Sequence, residues 1–207
     1  MLGRVSNLPT VWSNGLAGWV LSGQPADFAG LLILLISLSL FYTGGMYLND
    51  AFDAEIDAQE RSVRPIPMGI VSRSTIFGLG FAMLAGGVLI GFTLNFGAGL
   101  AGLALAASIV LYDWLHKKVA YGPLIMGACR FFTYVMAAYA AGGSANDAVL
   151  IGGIGLFCHT VGLTYAAKQE AYNTIGATWP LWVLAVPVVV IALHLNGAVP
   201  LAARQTG

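Results

Sequence analysis

The stretch YLNDAFDAEIDAQERSVRP, residues 47–65, holds three aspartates, two glutamates and two arginines in a chain that is 58% hydrophobic and 9% charged. An ordinary soluble domain carries about 25% charge. The background is therefore that of an integral membrane protein, and this stretch is its exception. The run just before it, from Phe28 to Tyr47, has no charged side chain, which suits a helix crossing lipid and emerging at Asn49. If the helix continues over residues 47–58, Asp50, Asp53 and Asp57 at spacing i, i+3, i+7 fall within about 60° of one another on one face. Asn49 flanks that face. Glu55 points away from it.

Working outward, seven apolar runs have the length or near-length of a membrane span. They cover 8–22 (short, with Pro9 near its start), 28–50, 74–94, 97–115, 123–142, 147–168 and 178–195. The breaks are polar or turn-forming, as in SGQPAD, RSVRPIPMGIVSRS, HKKVAYGP and GGSAND. Continuous apolar runs fit a helix bundle, not a barrel of alternating strands. The 27 glycines suit helices packed closely in lipid. The expected fold class is all-α: a polytopic membrane helix bundle of about seven transmembrane helices, forming a single transmembrane domain over 1–207. The opening residues MLGRVSNLPTVW lack the layout of a cleaved leader. A net charge of zero argues against a nucleic-acid partner.

With the N-terminus inside, Arg4, Arg61, Arg64, Arg73, Lys117, Lys118 and Lys168 share one side, seven of nine basic residues. The positive-inside rule therefore puts the N-terminus and these loops in the cytoplasm. Most acidic residues lie on the same side, which that rule does not demand because acidic residues contribute little to topology.

Three like charges on one face repel, and each is costly near the bilayer core. A divalent cation relieves both. Asn49, Asp50, Asp53 and Asp57 offer oxygen ligands only, with no His or Cys in the stretch, which suits Mg²⁺ over Zn²⁺. Mg²⁺ commonly joins carboxylates to a substrate's phosphate oxygens. Arg61, Arg64, Lys117 and Lys118 supply the cations that complement a diphosphate. The combination reads as a metal–diphosphate site at the mouth of a membrane cavity, with Asp50, Asp53 and Asp57 as its catalytic carboxylates.

Asn49-Asp50-x-x-Asp53-x-x-x-Asp57, followed by Arg64-Pro65-Ile66-Pro67-x-Gly69, resembles the first aspartate-rich motif of the UbiA superfamily of intramembrane prenyltransferases. RVSNLPTVWSNGLAG (4–18) is similar to that family's N-terminal helix, and YDWLHKK (112–118) to the Tyr–basic loop ending its fourth span. The resemblance covers essentially all seven runs. It implies a helical bundle, usually of nine spans, around a cavity open laterally to lipid. It implies a prenyl diphosphate held through Mg²⁺ by two aspartate motifs, and prenyl transfer to a lipophilic acceptor, aromatic in the common case. The expected location is a prokaryotic plasma membrane.

Two features depart from that pattern. The second motif should read Asp-x-x-x-Asp, but the corresponding TYAAKQEAYN (164–173) has Glu170 as its only carboxylate, with Lys168 where a second metal is expected. Lys168 and Glu170 are then substrate-binding candidates, the lysine gripping diphosphate directly. The chain is also two spans short of nine, so it is expected to be a shortened member or a piece of a longer chain.

Arg130, inside the fifth span, is expected to line the cavity near the diphosphate or an acceptor carboxylate. Asp113 is either a functional carboxylate or the i+4 partner of Lys117. His159 suits an interhelical hydrogen bond better than catalysis. Cys129 and Cys158 read as small hydrophobes. The rival function is a non-catalytic lipid-binding or carrier protein that keeps the bundle. A CDP-alcohol phosphotransferase would need DGxxAR, which is absent.

Overall fold

The computed structural model describes residues 5–60, 65–171 and 178–195. Among these, a 3₁₀ turn (Val5–Asn7) leads into eight α-helices with no strand. They are α1 (Leu8–Leu21), α2 (Phe28–Phe52), α3 (Ala54–Glu60), α4 (Arg73–Leu94), α5 (Phe96–Leu115), α6 (Gly122–Ala140), α7 (Asp147–Ala171) and α8 (Trp179–Leu195). Helices α2, α4, α5, α6 and α7 are long and apolar enough to cross a membrane. The 14-residue α1 extends about 21 Å, less than a hydrocarbon core of about 30 Å. Seven of the eight helices coincide with the seven apolar runs to within a few residues. The eighth, α3, is new.

Helix α3 corrects the continuous helix expected over 47–58. The chain bends at Asp53, which closes α2 through its N–H to the Asn49 carbonyl at 3.0 Å. The Asp57 N–H then returns to the Asp53 carbonyl at 2.8 Å, opening α3. The bend is tight enough that Asp53 and Asp57 are both buried while Glu55 stays exposed, so the expected division of the charges survives it.

Polar residues at the breaks start the helices. Asp27, Ser72 and Asn95 each accept a backbone N–H from the first turn of α2, α4 and α5, at 3.1, 3.1 and 2.8 Å. Glycines let neighbouring helices approach closely. A Cβ on Gly44 of α2 would sit 2.9 Å from the Gly80 carbonyl of α4, and one on Gly80 would meet Leu48 Cγ at 2.7 Å. Backbone-to-backbone approach of this kind replaces hydrophobic driving force between helices in lipid. The same device joins α7 to α8 at Gly162, whose absent Cβ would lie 2.6 Å from the Pro180 carbonyl.

Leu34, Leu38, Phe41, Leu48, Leu84, Leu105 and Met136 form the core between α2, α4, α5 and α6. Phe28, Leu89, Val20 and Trp182 face outward instead. Large apolar side chains on the outer surface are the signature of a lipid-facing bundle.

Successive helices return the chain so that one end of the bundle gathers the ends of α2, α5 and α7 and the starts of α4 and α6. Three contacts tie that end together. Arg73 Nε donates to the Ala51 carbonyl at 2.8 Å, Asn49 Nδ2 to Asp113 Oδ1 at 3.2 Å, and Tyr165 Oη to the Ala120 carbonyl at 2.8 Å. At the other end, Asn146 donates to the Leu21 and Ser22 carbonyls and Asn95 to the Tyr139 carbonyl.

Candidate functional site

The bend at Asp53 turns its carboxylate across to the end of α5. There Lys117 Nζ lies 3.0 Å and His116 Nε2 3.6 Å from Asp53 Oδ2. The turn following α5 carries both cations, and His116 is steadied from behind by Nδ1 contacts of 3.2 Å to the Tyr112 and Asp113 carbonyls and by stacking on Tyr112. Burial by itself would raise the Asp53 carboxyl. The nearby His116 imidazole and the Lys117 ammonium outweigh it, and the group sits below its ordinary value. Burial would likewise lower His116, but the Asp53 carboxylate 3.6 Å away holds the imidazole above 6.5.

Lys117 therefore reaches Asp53 and not Asp113, its neighbour at i+4. Lys118 is turned to the Trp114 ring, 5.3 Å from its centroid. Glu55, expected to be merely solvated, pairs with Arg73 at 2.6 Å. Both partners are well exposed, so the pair contributes about 1 kcal/mol or less. Its geometric effect is larger: through Ala51 and Glu55, one guanidinium holds both sides of the bend.

Asp113 is 4% exposed at the end of α5. Its Oδ1 accepts from Asn49, and its Oδ2 is buried without a hydrogen-bond partner among the described residues. A buried unsatisfied polar atom costs about 1–3 kcal/mol. Asp113 is also a wall residue of a cavity of about 150 Å³ between α1, α2, α5 and α6. Val11, Leu38, Phe41, Leu105 and Ile109 make most of that wall apolar. Its one carboxylate is Asp113 and its one cation is Arg130, among the described residues. Arg130 thus lines the cavity, as its place within a span suggests, and Cys129 is a free thiol in the same wall.

Asn49 and Asp50 are half-buried at the end of α2, and Asp57 is buried on α3. Lys168 is exposed near the end of α7, three residues past the Tyr165 that anchors this helix to the α5–α6 turn. Arg61 and Arg64 lie outside the described residues, and of Glu170 only its place in α7 is described. His159 is exposed on α7, not buried between helices.

No three His, Cys, Asp and Glu side chains among the described residues gather into a metal-holding group. Asp53 faces Lys117 and His116 instead. The donor chemistry nonetheless suits a hard cation. The candidates at the bend are Asp carboxylates and the Asn49 amide oxygen, and the unpartnered Asp113 oxygen adjoins Asn49. His116 and Arg73 are the residues sequence reasoning missed. His116 adjoins a recognised basic pair and could have been found there; Arg73 had no sequence signal beyond its charge.

The fold and this site define a class: a polytopic membrane protein with an apolar cavity among its helices and a cluster of carboxylates and basic side chains at one end of the bundle. The chain belongs to the UbiA prenyltransferase family, whose model matches residues 7–203. It is 30% identical over 140 residues to the digeranylgeranylglyceryl phosphate synthase of Korarchaeum cryptofilum, covering 67% of this chain and 50% of that protein. It is 29% identical over 125 residues to the synthase of that name from Saccharolobus solfataricus, covering 59% and 44%. The chain thus spans about half the length of the curated relatives it matches. A solved structure from work on digeranylgeranylglyceryl phosphate synthase in membranes superposes with a TM-score of 0.78 at 19% identity, covering 96% of this chain and 77% of that one. An apo UbiA homologue from Aeropyrum pernix K1 gives 0.76 at 18% identity, covering 95% and 82%. These two likenesses concern the fold.

Proposed function

We propose that the protein transfers a prenyl group from an isoprenoid diphosphate to a lipophilic acceptor within the membrane, with Mg²⁺ as cofactor. The observation that carries this reading is the meeting of Asp53 with Lys117 and His116 at the end of α2 and α5, where the Asn49–Asp113 hydrogen bond links the aspartate motif to the wall of an apolar cavity. A prenyl diphosphate has those two halves: an apolar chain and a dense anion.

Asn49, Asp50, Asp53 and Asp57 would hold the metal. Bound there, Mg²⁺ would neutralise the diphosphate and favour its departure. Lys117 grips diphosphate oxygens from the opposite side, with Arg61, Arg64, Lys118 and Lys168 adding positive charge around them. His116 keeps Lys117 and Asp53 in register through its contacts to the α5 carbonyls. The apolar wall excludes water from the allylic cation that forms as diphosphate leaves. Lys168 stands where the family's second motif would carry an aspartate, and its ammonium replaces one metal's contribution directly. Glu170 belongs to the same end of the site. In the cell, the N-terminus and this end of the bundle face the cytoplasm of a prokaryotic plasma membrane.

The relatives' printed name describes a glyceryl phosphate carrying two geranylgeranyl groups. It supports a glyceryl phosphate lipid with a free hydroxyl as acceptor, in preference to the aromatic acceptor common in the wider family. The test is turnover by the purified protein in nanodiscs with geranylgeranyl diphosphate, Mg²⁺, and either geranylgeranylglyceryl phosphate or an aromatic acid. Prenylated product that disappears with a chelator and with Asp53→Ala is expected. Donor binding without product from either acceptor would favour the carrier reading.

A further inference from the structure

We propose that a second cavity, bounded by α1, α6, α7 and α8, binds an uncharged lipid: an apolar chain carrying a hydroxyl or carbonyl oxygen. This cavity has a volume of about 330 Å³, against about 150 Å³ for the one lined by Asp113 and Arg130. Sites for small molecules run from about 300 to 1,000 Å³ and are mostly apolar, with a few placed polar groups. Leu21, Ile151, Leu156 and Val190 make this wall apolar, and it holds no Asp, Glu, Lys or Arg among the described residues. An anion entering it would lose its water and meet no cation, which is costly. The ligand is therefore neutral. The site is also separate from that of prenyl transfer, because α6 divides them: Cys129, Arg130 and Thr133 line the first cavity, Tyr134 the second.

The hollow is elongated and built into the packing. Along α7 its wall runs from Ala148 to His159, about 16 Å of helix. Gly152, Gly155, Leu156 and His159 share one face there, at spacing i, i+3, i+4, i+7. At Gly155 a Cβ would still lie 3.6 Å from Pro187 Cβ across on α8. The Tyr134 ring is held from two sides. A Cβ on Gly152 would come within 3.3 Å of Tyr134 Cε1, and one on Gly18 of α1 within 2.8 Å of the Tyr134 carbonyl. A helix about 10 Å across needs far more room over that length, so the occupant is a chain.

Two polar side chains interrupt the apolar wall, Tyr134 and His159. Neither has a hydrogen-bond partner among the described residues. Tyr134 offers an O–H, and a neutral imidazole at His159 offers one N–H. At membrane depth the surrounding lipid supplies nothing to pair them. A ligand oxygen accepts from both groups, and a hydroxyl or a carbonyl brings that oxygen without charge. A plain hydrocarbon fills the same volume and leaves both donors unpaired.

The experiment uses the full chain in nanodiscs with a diazirine-bearing hexadecanol, beside the same diazirine chain lacking the hydroxyl. Photolabelling mapped by mass spectrometry should place the alcohol on peptides containing residues 151–159 and 187–190. Its yield there should be about tenfold that of the hydrocarbon. Tyr134→Phe combined with His159→Leu should bring the alcohol down to the hydrocarbon's yield, and Gly155→Leu, which fills the hollow, should abolish labelling of these peptides by both. Unlabelled hexadecanol and hexadecan-2-one, used as competitors, decide between hydroxyl and carbonyl; competition by neither overturns the assignment. Equal yields from alcohol and hydrocarbon, or a double variant labelled within about twofold of the unmodified protein, overturn it too. Competition by geranylgeranyl diphosphate would make the cavity part of the donor's site and overturn it equally. If the variants do not fold, the comparison of alcohol with hydrocarbon on the unmodified protein decides alone.

Discussion

Lys117 Nζ lies 3.0 Å from Asp53 Oδ2, so the first aspartate motif is met across the bundle by a cation from the turn after α5. Removing the charge in Lys117→Met leaves Asp53 with His116 as its remaining basic neighbour among the described residues. Because Lys117 is about a third exposed, the stability loss should be about 1 kcal/mol or less. The functional loss should be larger: the KM for prenyl diphosphate rises about tenfold or more, since a charge-assisted contact to diphosphate is gone. Steady-state kinetics at saturating acceptor, beside a thermal melt, separates the two. An unchanged KM would remove Lys117 from diphosphate binding.

Arg73 holds the Ala51 carbonyl at 2.8 Å and the Glu55 carboxylate at 2.6 Å, one on each side of the bend at Asp53. Arg73→Ala should loosen the bend and weaken Mn²⁺ binding, read by electron paramagnetic resonance in the absence of substrate. Glu55→Gln removes only the exposed pair and should change that affinity by less than about threefold. Equal effects from the two would mean that the Ala51 contact does not shape the motif.

At the α2–α4 crossing, a Cβ on Gly44 meets both the Gly80 carbonyl and Met83 Cβ at 2.9 Å. Backbone cannot yield as a side-chain tip does, so Gly44→Ala should destabilise the bundle by about 1–3 kcal/mol. At Gly78, on the same α4, a Cβ meets nothing within 4 Å. There Gly78→Ala should be neutral or stabilising, by up to about 1 kcal/mol, through helix propensity alone. Thermal unfolding of the two variants in one detergent gives the comparison.

The pair between His116 and Asp53 has a defined pH window in the metal-free protein. His116 is raised above 6.5, so its contribution to stability is complete below that value and fades as pH climbs through the folded-state midpoint. Asp53 is lowered from 3.8, so its contribution is present above 3.8 and fades as pH falls through the lower folded value. Between about 4 and 6.5 both groups are charged and the pair is at full strength. Nuclear magnetic resonance should show a His116 midpoint above 6.5 that falls in Asp53→Asn. A midpoint unmoved by that substitution would show that the α5 carbonyls, and not Asp53, raise it.

The sequence by itself determined the spans and placed the carboxylates of the candidate site on one stretch of chain. Length and hydropathy of a run decide whether it can cross lipid, and both are local properties. The spacing of Asp50, Asp53 and Asp57, with Glu55 off the face, likewise follows from helical periodicity and survives the bend. The bend itself was not legible, because nothing in NDAFDAEID forbids a continuous helix. Only the tertiary structure decided the partners. By spacing, Lys117 is matched with Asp113 four residues before it; in the fold it goes to Asp53, and Asp113 goes to Asn49. Such pairings depend on how closely and at what height α2 and α5 lie within the bundle. That is set by glycine contacts and core side chains contributed by several helices at once, and no linear spacing encodes it.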